Sequence, residues 1–120
     1  MIQDRLKVVV EQDKEILQAD FSHLKEREMI QLMMKLVDQL IADGNLTRVL
    51  ITKEGNFFTP KYMEALRSYR VEERTFHIKT AIVGFNDVQK WILKGYNSAR
   101  SKDVRAFDSR EEALNYLLAD

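Results

Sequence analysis

The chain has 120 residues, 45% of them apolar and 32% charged, and its 19 basic and 19 acidic side chains cancel to zero net charge. That is the size and mixture of one globular domain with room for a core around a sheet. It excludes a disordered chain and a globally basic nucleic-acid binder. The absence of cysteine excludes disulfides, thiolate metal sites and cysteine nucleophiles, and fits a reducing compartment.

Met1 to Arg5 has no apolar run behind a positive start, so no signal peptide is expected and the reading is cytoplasmic. Leu6 to Val10 is a short β-branched run, Glu11 to Lys14 a polar turn, and Glu15 to Phe21 a second extended segment. Two short strands around a tight turn predict an antiparallel hairpin. Lys25 to Asp43 is the clearest helix, with Met29, Met33, Leu36, Val37, Leu40 and Ile41 at helical spacing and Gly44-Asn45 as the stop. Its stretch from Met29 to Ala42 is interrupted by Gln31, Lys35, Asp38 and Gln39, and is too short and polar to insert into a membrane. Leu32 and Met34 widen the apolar stripe, which leaves two readings open. Either the helix packs deeply on a sheet, or one flank meets a second subunit to make a homodimer.

From there strands and helices alternate. Leu46 to Thr52 reads as a strand, and Thr59-Pro60 caps and opens a helix to about Glu73. Ile78 to Gly84 is a strand, and Asn86 or Asp87 starts a helix to about Asn97. Val104 to Phe107 is a last short strand. Ser109, with Glu112 three residues on, makes a capping box for a final helix that buries Ala113, Leu114, Leu117 and Leu118. The order ββαβαβαβα predicts a single α/β domain, with a mixed, mostly parallel five-stranded sheet and about four helices.

Several segments resemble one family. They are Leu50-Ile51-Thr52 followed by Phe58-Thr59-Pro60, the run Lys79 to Gly84 leading into Val88-Gln89-Lys90, and the tail Val104 to Leu114. Together with the element order they look like the bacterial SpoIIAA-like, STAS/Sec14-like proteins, and the resemblance covers nearly the whole chain. It implies the strand order 1-3-2-4-5. It also implies a non-enzymatic switch or binding domain: a regulatory module that binds a protein partner or, in the Sec14-like manner, a carrier of an apolar small molecule or lipid. The family's anti-sigma-factor antagonists are phosphorylated on a serine after a central strand. The corresponding stretch here, Thr52 to Thr59, has no serine, and its only hydroxyls are Thr52 and Thr59. That departure argues against a phosphorylation switch and leaves Thr59 as a possible phosphosite beside its role as a helix cap.

In a largely parallel sheet, partners meet the loops at the carboxyl ends of the strands. The first such loop offers Glu54, Asn56, Phe57, Phe58 and Thr59, with Gly55 freeing the backbone. An exposed aromatic ring there would anchor a protein partner. The second, Gly84 to Asp87, offers Asn86 and, one turn on, Lys90. Free N–H groups and a cation there can hold an anion, though one glycine is no phosphate-binding fingerprint. Trp91, with Val88 and Ile92, reads as core or as the lining of a ligand pocket. His23 and His77 lie far apart with no ligand at metal spacing, no serine has nucleophile-elbow glycines, and carboxylate pairs such as Glu72-Glu73 fall on solvated helix faces. The polar stretch Asn97 to Arg105 reads as a basic, solvated connection. No metal, no cofactor and no catalytic residue is expected.

Overall fold

The computed structural model of the chain describes residues 2–53, 78–86 and 104–119. After a 3-10 turn at Ile2–Arg5, the chain forms β1 (Leu6–Glu11), β2 (Lys14–Asp20), α1 (Glu26–Ala42), β3 (Arg48–Thr52), β4 (Lys79–Val83), β5 (Val104–Phe107) and α2 (Arg110–Leu118). The helices expected over 59–73 and from 87 to 97 lie outside the described residues. Among those residues, no helix is long and apolar enough to cross a membrane.

The five strands form one sheet in the order β1-β2-β3-β4-β5. β1 and β2 pair antiparallel, and every later pair is parallel. This corrects the expected order 1-3-2-4-5, and the reason is local. Only Gln12 and Asp13 separate β1 from β2, and both are left-handed at φ 51° and 63°. Two successive left-handed residues make the turn whose twist matches an antiparallel pair, so β1 lies beside β2 and β3 adds to β2's other edge.

The register sorts the strands into two faces. Leu17, Ala19 and Val49 point to one side, where they pack with Met29, Leu32, Met33, Leu36, Val37 and Leu40 of α1. Ile16, Leu50 and Ala81 point to the other, where they pack with Ala113 and Leu117 of α2. Leu32 is completely buried, whereas Met34 and Ile41 are 42% and 50% exposed. The wide stripe therefore divides: Leu32 is core and unavailable to a second subunit, whereas Met34 is partly exposed.

The helix ends are held locally. The Lys25 N–H donates to Glu28 Oε1 at 3.1 Å, and the Glu112 N–H to Ser109 Oγ at 3.2 Å. α1 stops without a left-handed glycine: Gly44 has no positive φ. Instead the Asn45 N–H donates to Asp43 Oδ1 at 3.0 Å and the Leu46 N–H to the Asp43 carbonyl at 3.2 Å. Asp43 turns the chain through its own side chain.

Candidate functional site at the carboxyl edge of the sheet

The carboxyl ends of β2, β3 and β4 lie level with one another. Two hydrogen bonds carry the sheet pattern past the strand ends: Phe21 N–H to the Thr52 carbonyl at 2.7 Å, and Lys53 N–H to the Val83 carbonyl at 2.9 Å. The side chains of Asp20, Thr52 and Lys53, and the backbone of Gly84, are thereby set beside the strand ends rather than on free loops.

Asp20 is bound on both oxygens. Its Oδ1 accepts from the Ser22 N–H and from Thr52 Oγ1, each at 3.0 Å, and its Oδ2 lies 3.7 Å from the Arg5 guanidinium. Burial pulls the carboxyl up, but the Ser22 bonds, the Thr52 hydroxyl and the Arg5 charge outweigh it and hold the group below the usual carboxylate range. Arg5 also donates to the Ser22 carbonyl at 2.6 Å, fixing the turn that brings exposed His23 to φ 58°.

Lys53 is the opposite case. Alternation along β3 puts it on the same side as Val49 and Ile51, under α1, and among the described residues it is the one charged residue that is buried, at 3% exposure. Its Nζ approaches Met29 Sδ at 3.1 Å, and thioether sulfur is a weak acceptor. Burial pushes the ammonium down to about 8. Gly84, at φ +107°, closes the same spot, because a Cβ there would collide with the Lys53 carbonyl.

Of the residues predicted from sequence, Asn86 is described: it is exposed, just beyond buried Phe85. Glu54, Asn56, Phe57, Phe58, Thr59 and Lys90 lie outside the described residues, and so do the candidate phosphosite and Trp91. The structure adds Arg5, Asp20 and Lys53, which do not stand out in the sequence, and gives Thr52, marked there only as a hydroxyl of the stretch Thr52 to Thr59, a place beside Asp20. The signal for Lys53 was its even spacing from Val49 and Ile51; for Asp20 there was none, since its partners come from positions 5, 22 and 52. Among the described residues no three His, Asp or Glu side chains are grouped as a metal ion would need.

Among solved structures, the chain is similar over almost its full length to the following one. It is an uncharacterised protein of the DUF3478 family from Shewanella loihica PV-4, with TM-score 0.57 and 19% identity, covering 93% of this chain and 91% of that chain. The fold is SpoIIAA-like. No family model matches the chain, and no curated protein matches it. Within the SpoIIAA-like sheet, the Asp20–Thr52 pair and the Lys53–Gly84 contact occupy adjacent places on one edge, the charged atoms of the first outside and of the second inside.

Proposed function

We propose that this chain is a non-catalytic, cytoplasmic regulatory module of the STAS type, which recognises a protein partner through the carboxyl edge of its sheet. The observation that carries the reading is the fixed charge of Asp20. Its carboxylate is held below the usual range, oriented by its donors, and still 47% exposed. General acid–base work needs a group that exchanges protons near the working pH, and Asp20 is held away from that condition. A fixed, half-exposed charge is instead suited to steering and registering a partner. Exposed Asn86 stands at the same edge.

The reading is tested with a photoreactive residue placed at Asn86 or, at the opposite end of the sheet, at Asn45. In cells the Asn86 probe should give a discrete protein adduct that Asp20→Asn abolishes, and the Asn45 probe should not. Equal adducts at both positions, or adducts indifferent to Asp20→Asn, would reject it.

The second reading, a carrier of an apolar molecule, draws on Lys53. A buried amine whose charge is disfavoured by desolvation is suited to the acid group of an amphiphilic ligand. A small molecule that co-purifies with the protein in native mass spectrometry, and is lost in Lys53→Met, would favour it over the partner reading.

A further inference from the structure

β1 is the outer strand of the sheet, and among the described residues nothing pairs with its free edge. The turn fixes which of its backbone groups face outward. A two-residue turn closes on a hydrogen-bonded pair, here Glu11 with Lys14, and by alternation the next such pairs are Val9 with Ile16 and Lys7 with Gln18. Leu6, Val8 and Val10 therefore direct their N–H and C=O groups away from β2. Their side chains lie on the α1 face, where Val8 and Val10 are 41% and 64% exposed. Met34 and Ile41 of α1, 42% and 50% exposed, are on that same side of the sheet. Lys7 and Glu11 lie on the other face, Lys7 exposed and the Glu11 side chain 41% exposed.

We propose that two copies of the chain pair antiparallel through β1, about a two-fold axis at Val9, into one continuous sheet. The strand is self-complementary about that residue: valines flank it at Val8 and Val10, and opposite charges stand one step further out, at Lys7 and Glu11. In this register Val8 of each copy faces Val10 of the other, and Lys7 of each faces Glu11 of the other. Val8 and Val10 are the residues with outward backbone groups, so they exchange the N–H to C=O bonds. Lys7 and Glu11 meet at non-hydrogen-bonded positions, where facing side chains come closest.

Other registers lose this match. A shift of one residue sets outward backbone groups against inward ones. A shift of two sets Lys7 or Glu11 against Val9 and leaves neither charge with the other. A lysine on an edge strand ordinarily discourages pairing; here it selects one register. The opposite charges placed symmetrically about Val9 point to a second copy as the occupant, because a two-fold axis sets each charge against its opposite in the other copy, whereas a foreign strand would have to bring a matching pattern of its own.

The test uses the absence of cysteine from the chain. Val9→Cys places a thiol on the axis opposite its own copy, at a Cα spacing that a disulfide tolerates, and should cross-link to a covalent dimer under mild oxidation. Val8→Cys, which faces Val10, should not. Independently, Lys7→Glu and Glu11→Lys should each weaken association about tenfold or more in sedimentation, with the far-UV spectrum unchanged. An equimolar mixture of the two variants should recover it, because each then meets the opposite charge. Glu11 also lies 3.9 Å from Arg110, so Arg110→Gln serves as the control and should leave association intact. A wild type that stays monomeric at about 1 mM, cross-linking through Val8→Cys instead, charge variants that dimerise as well as wild type, or a co-purified foreign strand on β1 would each overturn the proposal.

Discussion

The sheet has helices on both faces, and they are held in different ways. α1 is 17 residues long and buries six apolar side chains against β2 and β3. α2 has nine residues and buries two, Ala113 and Leu117. What α2 lacks in apolar contact it gains at its carboxyl end. Lys14 Nζ donates to the Leu118 carbonyl at 3.0 Å, Arg48 Nε to the Leu117 carbonyl at 2.9 Å, and Lys79 Nζ to the Tyr116 and Ala119 carbonyls. These cations are the first residues of β2, β3 and β4. Lys79 and Arg105 also lie over the Tyr116 ring, at 5.2 and 5.1 Å, and Tyr116 packs on Phe107 at 5.4 Å. The last carbonyls of a helix have no partner within it and carry the negative end of its dipole. A short helix can thus be fixed by charge where a long one is fixed by area.

The sharpest way to expose the difference is to remove volume from the α1 face. Leu32→Ala should cost about 3 kcal/mol, because Leu32 is completely buried among residues already close-packed. Chemical denaturation with an unchanged m-value would check it, and a loss below about 1 kcal/mol would mean the face collapses around the gap.

The next effect runs the other way. Lys53 is the exception on the apolar face, and Lys53→Met should stabilise the protein at neutral pH by up to about 3 kcal/mol. The sign follows from linkage. The folded amine titrates near 8, below its ordinary 10.5, so between those values the unfolded chain binds more protons and stability rises with pH. Below about 8 the full penalty is present. Thermal melts from pH 7 to 10.5 should show that rise in wild type and less of it in Lys53→Met. Equal slopes in both would refute the assignment.

On the α2 face, Arg48→Met should cost about 1–2 kcal/mol, through one charge-assisted hydrogen bond and its share of the dipole interaction. Hydrogen exchange should speed up at α2 amides and not at α1 amides, and raised salt should shrink the difference from wild type. A change spread evenly over both helices would mean the cations hold the sheet rather than the helix.

The smallest effect is at the edge they share. Thr52→Val should cost about 1 kcal/mol by removing one donor from Asp20. Its carboxyl should then titrate higher than in wild type. The stability that the ionised group contributes, present at neutral pH, would be lost at a higher pH on acidification. An NMR titration of the Asp20 carboxyl that shows no upward shift would remove Thr52 from its environment.

How legible each helix was in the sequence follows the same division. The apolar stripe of α1 repeats within one segment, so periodicity alone places the helix from Lys25 to Asp43 and much of its core, although it leaves Leu32 and Met34 undistinguished. The cations that hold α2 stand at positions 14, 48 and 79, and the helix's own last turn carries no basic residue. No window along the chain contains that arrangement, which appears only when three strand starts are brought side by side. Asp20 is hidden for the same reason. The strand order differs for another reason: the resemblance implies 1-3-2-4-5, but the two-residue spacing between β1 and β2 places them side by side.

That two-residue spacing also bears on the route by which the chain folds. Closing Gln12-Asp13 constrains the smallest loop in the sheet, and hairpins form on the order of 1–10 μs. Each parallel pairing, from β2 with β3 onward, must first bring together segments separated by a far longer connection. Two left-handed residues without glycine make this closure costlier than an Asn-Gly turn would. Replacing Gln12-Asp13 by Asn-Gly should therefore speed refolding in stopped-flow by about the factor that it stabilises the protein, and leave unfolding nearly unchanged, if the hairpin is already formed at the rate-limiting barrier.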